Sequence, residues 1–379
     1  MRVIHVATLV SPDGAFGGPI RVAVNQVREL RSRGYDAVLA AGFFGEGIAP
    51  DEVDGVPVKL FPVRRLLPKT GFAGFNSPQL HRWLRENVLS ADAVHIHLAR
   101  DLVTLPAAWI ARRAGVPFVV QPHGMIDPSS NPLSIPLDRA MTKPLLRSAS
   151  SVFFLTDQER RGLVSVAGSS LTFEPLVNGV PSVAETGDSS QRSELDVLFL
   201  ARLHPRKRPD YFIRSAINLI PRFPGVRFSV VGPDEGSLDG ISRLIRAADP
   251  LTSSQIAVEG PLPMEATLRR VASSDIYVLP SVDEPFPMSV LEAMSLGKPV
   301  IVTESCGLAP YVKTHRAGLV ISSAQNELTE AIAALISDAD LRAQLSANAR
   351  RLARDVFSMT AVGDQLTATY ARSRLGRTP

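Results

Sequence analysis

The stretch Asp283–Gly307, DEPFPMSVLEAMSLGKPVIVTESCG, places two glutamates with seven residues between them. Glu284 stands in a loop broken by Pro285 and Pro287, and Glu292 stands inside the helix that Met288 opens and Gly297 ends. The apolar runs on either side, DIYVLPS and PVIVTES, read as buried strands. Backbone amides of Met288, Ser289 and Val290 at the helix start have no intrahelical partner, which makes them a seat for phosphate oxygens. Carboxylates beside such a seat make sense if each accepts hydrogen bonds from neutral hydroxyls flanking a diphosphate, one on a sugar and one on a ribose. Compensation of the helix dipole accounts for Glu284 but less well for Glu292.

The same alternation of short apolar runs and amphipathic stretches extends in both directions. RVIHVATLV, a helix over 20–33, YDAVLAA, ADAVHIHL, a helix over 102–113, PFVVQPHG and SVFFLT predict a parallel sheet covered by helices. The rhythm breaks at residues 178–194, NGVPSVAETGDSSQRSE, rich in Gly, Pro and Ser, and restarts with LDVLFLARL, VRFSVVGP and QIAVEG, each followed by a helical stretch. The predicted fold class is α/β with two Rossmann-like lobes, residues 1–180 and 195–357, joined by a linker over 181–194. A length of 379 residues suits two domains. Ligands in open parallel sheets lie at the carboxyl ends of the strands, so the chemistry is expected on strand-to-helix loops facing a central cleft.

Composition excludes several classes. With 45% hydrophobic and 21% charged residues the chain is globular rather than disordered. Its one cysteine, Cys306, allows no intramolecular disulfide and is read as packing. The N-terminal MRVIHVATLV reads as a first strand rather than a signal peptide, and no run approaches the ~18 apolar residues of a membrane span. A cytoplasmic protein is expected. The net charge of +4 comes from residues 1–180, with 19 Lys/Arg against 15 Asp/Glu, since the remainder holds 22 of each. The excess gathers over Lys59–Arg113, together with Trp83 and Trp109, and no nucleic-acid partner is expected. Leu80, Trp83, Leu84 and Val88 share a helical face flanked by Arg82 and Arg85, which suits either a packed surface helix or one resting on an anionic membrane.

Three further loops carry signals. In DGAFGGPIRV, Gly17 and Gly18 let backbone approach a ligand and Pro19 begins a helix; the dinucleotide fingerprint G-x-G-x-x-G is missing. In QPHGMIDPSSNP, His123 stands at a strand's carboxyl end beside a glycine, and Asp127 is a candidate acceptor contact. ARLHPRKRPD puts Arg202, Arg206, Lys207 and Arg208 within seven positions directly after a buried strand, which favours a bound polyanion such as a diphosphate.

Taken together, Glu284-seven-Glu292, ARLHPRKRP, GGP, PHG and NGV resemble the retaining GT-B glycosyltransferases of family four over nearly the whole chain. The resemblance implies that Arg202 and Lys207 bind the donor diphosphate, Glu284 the transferred sugar and Glu292 the ribose. It places the base near Pro261 and Leu262, the donor against Phe286, Pro287, Met288, Ser289 and Val290, Gly17 and Gly18 near the pyrophosphate, and His123 near the sugar. A final helix within residues 358–379 is expected to cross back to the first lobe. Two features depart from the family pattern: Pro287 stands where many members have glycine, and GPDEG, Gly232 to Gly236, is more acidic than the usual glycine-rich loop.

The implied reaction is transfer of a sugar from a nucleotide diphosphate donor to an acceptor hydroxyl with retained configuration. Arg202, Lys207 and the helix start would stabilise charge on the leaving phosphate. No cofactor and no metal are expected, since cations and a helix start neutralise a diphosphate and the one Asp-x-Asp, Asp338 and Asp340, lies away from these loops. The acceptor is expected to be a glycan or lipid-linked sugar, met at the inner face of a membrane if the first lobe docks there. A sugar-nucleotide epimerase and a non-catalytic sugar-nucleotide binder are alternatives; a nicotinamide dehydrogenase is disfavoured by the missing fingerprint.

Overall fold

The computed structural model describes residues 1–11, 17–67, 70–181 and 194–375, so most of the linker expected over 181–194 lies outside the described residues. The chain divides into two compact units. The first includes the described residues up to Gly179 and resumes at Met359; the second includes Val180–Ser358.

In the first unit, β1 (Arg2–Val10), β2 (Asp36–Phe43), β3 (Glu52–Val53) and β4 (Val56–Pro62) precede a small hairpin of β5 (Arg64–Arg65) and β6 (Phe75–Asn76). β7 (Ala93–Ile96), β8 (Phe118–Val120), β9 (Ser151–Phe154) and β10 (Phe173–Pro175) follow. The main sheet has the order β10-β9-β8-β7-β1-β2-β4-β3 and is parallel except at its β3–β4 edge. Its central strands are buried on both faces, as crossover helices require. Ile4, Val6, Val94 and Ile96 belong to a core that includes Leu80, Leu84, Phe118 and Val120. The alternate residues His5 and His95 pair in register on the opposite face. The closing helix Met359–Leu375 packs there through Tyr370, and its start is held by Arg33, which reaches Asp364 at 2.6 Å.

The helix Pro78–Asn87 starts under Ser77, whose hydroxyl accepts from the Leu80 amide. Leu80 and Leu84 are fully buried and Trp83 packs on Phe61 with ring centroids 5.7 Å apart. Of the two readings of this helix, these contacts fit the packed surface helix: its apolar stripe faces the core, and outward-facing Arg82 pairs with Glu86.

The second unit carries β11 (Leu195–Leu200), β12 (Val226–Val231), β13 (Ile256–Gly260), β14 (Ile276–Leu279), β15 (Val300–Thr303) and β16 (Gly318–Ile321). They form one parallel sheet in the order β13-β12-β11-β14-β15-β16. Strand order reverses between β11 and β14, so the loops leaving these two strands flank the crevice where such sheets bind ligands. Helix Pro209–Leu219 follows β11, and helix Met288–Ser295 follows β14.

One backbone contact sets the loop after β12. Gly232 has φ +146°, and a Cβ there would collide with the carbonyl of Ala201, just beyond β11. Gly232→Ala is expected to destabilise the second unit by about 2 kcal/mol or more, from strain at a glycine-only conformation plus a backbone clash. Denaturant unfolding followed by far-UV circular dichroism checks it; a shift below ~0.5 kcal/mol would mean that the loop relaxes freely.

Candidate functional site

The loop leaving β11 folds into a 3-10 turn over Pro205–Lys207, and Arg208 then takes a left-handed conformation (φ 56°) before Pro209 opens the next helix. This turn drives the Lys207 side chain inward to 10% exposure, against the Glu284 carboxylate from the loop after β14. Arg206 Nη1 donates to the same carboxylate oxygen at 3.1 Å and to the carbonyls of Val282 and Asp283 at 3.2 and 2.9 Å. Two cations thus meet one buried carboxylate across the switch point. Burial is the largest influence on Lys207 and lowers its pKa, with Glu284 opposing. Asp283 adopts φ 51° and its amide donates to Ser305 at 3.0 Å, and the Glu284 carbonyl accepts from Gly307 at 2.8 Å. The carboxylate is therefore fixed from both its side chain and its backbone.

Arg202 uses Nη1 on both oxygens of Glu235, at 2.8 and 3.0 Å. Neighbouring Asp234 accepts from the amides of Gly236, Ser237 and Leu238 at 2.9 to 3.1 Å, occupying the start of helix Leu238–Ala247 with a side chain of the protein. The acidic GPDEG loop thus supplies one carboxylate to a helix start and one to Arg202. Arg208 does not join the cluster: its left-handed backbone turns it over the Tyr211 ring, 4.8 Å away, with Nη1 on the Ser323 carbonyl. Of the four cations within seven positions expected at one anion, Arg208 is turned away, Arg202 is paired with Glu235, and Arg206 and Lys207 are paired with Glu284.

At the helix after β14, Val290 N–H bonds to the Pro287 carbonyl at 3.2 Å, because the first turn tightens to 3-10 geometry. The expected three open amides are two, those of Met288 and Ser289. Phe286, Pro287, Met288 and Val290 are buried, and the Phe286 ring packs edge-on against Phe357. Any contact with a donor from these residues is made by backbone. Ser289 hydrogen-bonds to Tyr277, whose phenol donates to the Leu200 carbonyl at 2.8 Å and is held far above its ordinary pKa by burial. Glu292 is buried one turn into the helix, near that phenol. Pro261 and Leu262 follow β13, with Pro261 exposed. Burial pushes the Cys306 thiol up to about 12, in keeping with packing.

In the first unit, His123 has φ 55° at the carboxyl end of β8, and its turn is held by Glu159, which accepts from the amides of Gly124 and Leu155 at 2.6 and 2.7 Å. Burial lowers His123 to about 3, so the ring is neutral. Its Nε2 lies 2.8 Å from His97 Nδ1. Asp127 is exposed and its side chain lies 3.7 Å from Arg100. Gly17 and Gly18 begin the helix Gly17–Ser32, and a Cβ at Gly18 would meet no described atom within 4 Å, so the fold itself does not demand glycine there. Sequence reasoning missed Glu235, Glu159 and the histidines behind His123. For the histidines a signal existed: His95 and His97 are two apart in the apolar run ADAVHIHL, an alternation that puts both on one face of an extended chain.

Comparison with known proteins places these observations in a family. A family model described as "Glycosyl transferase 4-like domain" matches residues 17–170, and one described as "Glycosyl transferases group 1" matches residues 188–352. The chain is 27% identical over 374 residues to a D-inositol 3-phosphate glycosyltransferase of Nocardia farcinica, covering 89% of this chain and 81% of that one. It is 24% identical over 280 residues to the alpha-D-kanosaminyltransferase of Streptomyces kanamyceticus, covering 69% and 72%. Its fold is that of Anabaena HepE, crystallised with UDP and glucose, at TM-score 0.77 and 19% identity over 98% of this chain and 100% of that one.

The Arg202–Glu235 pair yields a direct expectation. A carboxylate beside Arg202 draws on the charge that a diphosphate would use, so Glu235→Gln should tighten binding of a nucleoside diphosphate by up to about fivefold, the size of a partly exposed ion pair. Titration calorimetry on both proteins measures it. Weaker binding by the variant would instead make Glu235 the residue that holds Arg202 in its binding pose.

Proposed function

The chain belongs to the group 1 glycosyl transferases, and from that premise we propose a retaining enzyme that moves a sugar from a UDP-sugar to a hydroxyl of a glycan or lipid-linked acceptor. The observation that carries this reading is the cluster of Lys207 and Arg206 on buried Glu284 at the switch point, with the amides of Met288 and Ser289 one loop away. Cations and amides suit a diphosphate, and a fixed carboxylate suits sugar hydroxyls. Uridine as the base draws support from the UDP in the HepE crystals.

A diphosphate seated here shares Lys207 and Arg206 with Glu284. As the phosphate oxygens take up the cations, the carboxylate gains capacity for sugar hydroxyls, so the two halves of the donor are recognised in a coupled way. In the reaction the bond from the anomeric carbon to the β-phosphate oxygen breaks, the acceptor oxygen attacks from the same face, and its proton passes to the departing phosphate. The cations and helix start stabilise charge on that phosphate. Glu292 would hold the ribose. This chemistry needs no divalent metal, because the protein's own cations do the neutralising; EDTA should leave turnover within about twofold, and a loss restored by manganese would overturn it.

A lipid-linked acceptor would bring the enzyme to the cytoplasmic face of a membrane. Exposed Leu66 and Leu67, which follow exposed Arg64 and Arg65 directly in the chain, are side chains of the first unit suited to such a contact, as is the Arg82 face of the helix Pro78–Asn87. Among the described residues no helix is long and apolar enough to cross a membrane.

The two glutamates test the reading. Glu284→Gln should lower kcat at saturating donor by about tenfold or more, because its contacts change as the anomeric bond breaks. Glu292→Gln should mainly raise the donor KM and weaken binding of UDP itself. Equal kinetics in both variants, with only small melting shifts, would reduce both residues to structural carboxylates. Release of a free epimer without acceptor would favour the epimerase alternative.

A further inference from the structure

Behind His123 the first unit holds a continuous chain of buried polar side chains. Tyr370 Oη, on the closing helix, lies 2.7 Å from His95 Nδ1 and 3.3 Å from His5 Nε2. His5 Nδ1 lies 3.2 Å from His97 Nε2, and His97 Nδ1 lies 2.8 Å from His123 Nε2. The His95, His97 and His123 rings are stacked with interplanar angles of 10° and 8°. Tyr370, His5, His95 and His97 have no exposure to solvent. Burial also holds the three inner histidines well below their ordinary pKa, so each carries one proton.

A neutral imidazole has one N–H and one lone pair. Each link in the chain must pair one of each, so the choice made at one end dictates all the others. The Tyr370 hydroxyl passes that choice along, since it donates one proton and accepts another. His95 Nε2 is buried and closes no hydrogen bond of normal geometry; the polar side chain beside that ring is Gln121, whose Oε1 is already engaged by Gln26 Nε2 at 2.9 Å and whose Nε2 donates to Asn178 at 3.3 Å. A stranded N–H there would cost more than a bare lone pair, which puts the His95 proton on Nδ1, donated to Tyr370. The phenol then donates to His5 Nε2, His5 Nδ1–H to His97 Nε2, and His97 Nδ1–H to His123 Nε2. The proton of His123 is left on Nδ1, the nitrogen with no partner among the described residues.

We infer that Tyr370 is a positioning residue that holds His123 as its Nδ1–H tautomer through His5 and His97. His123 consequently presents a hydrogen-bond donor, and an oxygen acceptor is what it selects. Naming that acceptor as an oxygen of the transferred sugar rests on the function proposed above; the relay itself does not.

The test uses the full chain labelled with 15N-histidine, with His123 signals assigned by their loss in His123→Asn. Long-range 1H–15N correlations show which ring nitrogen is protonated. The expected result is Nδ1–H in the parent protein and a loss of that single tautomer in Tyr370→Phe, which keeps the ring and removes the hydroxyl. His5→Gln, which cuts the relay and leaves Tyr370 in place, should do the same and serves if the first variant folds poorly. In parallel, kcat/KM for UDP-sugar should fall by up to about tenfold, the worth of one hydrogen bond, while affinity for UDP alone stays unchanged. A parent His123 protonated at Nε2, or one whose tautomer ignores both substitutions, overturns the inference. A tautomer that follows Tyr370 with no change in kcat/KM upholds the relay and removes the sugar contact from the proposed function.

Discussion

The ion pair between Lys207 and Glu284 is the contact on which the proposed donor site depends. One charge comes from the loop after β11 and the other from the loop after β14, the two strands at which the order of the second sheet reverses. Burying two charges costs several kcal/mol each, and the cost is offset only if the partners are close and the remaining lone pairs are used. Arg206 uses one of them, and its reach to the Val282 and Asp283 carbonyls ties the second loop down. The loops are thereby preorganised around a net positive site, which suits a developing phosphate charge.

Around their candidate loops the two units satisfy polar groups differently. The second opposes full charges, as Arg202 with Glu235 and Lys207 with Glu284 show. The first keeps its buried histidines neutral and satisfies them against one another and Tyr370. A charged site suits an anion and a neutral donor suits a hydroxyl oxygen, in keeping with the function proposed for them. It also gives the closing helix a chemical function beyond packing, because its Tyr370 is the only hydroxyl in the histidine chain among the described residues.

Much of this was legible from residue order. Unbroken apolar runs such as VIVT and VFF mark strands buried on both faces, Gly297 and Pro209 mark helix ends, and the cations of ARLHPRKRP follow a strand in a way that places them at its carboxyl end. What misled was charge counted without direction. Arg208 reads as a fourth cation at the anion site, yet its left-handed φ turns it onto Tyr211. The Trp83 helix reads as suiting either core or membrane, and only the structure shows Leu80 and Leu84 of its apolar face fully buried.

The sequence by itself determined the α/β alternation, the strand-end position of the candidate loops and the spacing of Glu284 from Glu292, because these depend on period and order along the chain. Only the tertiary structure decided which side chains meet: Glu284 with Lys207, Arg202 with Glu235, and Tyr370 with His5 across 365 positions. The physical reason is that strand order in a parallel sheet is set by crossovers. Residues far apart in the chain become neighbours through packing of whole layers, and no local pattern records the partner.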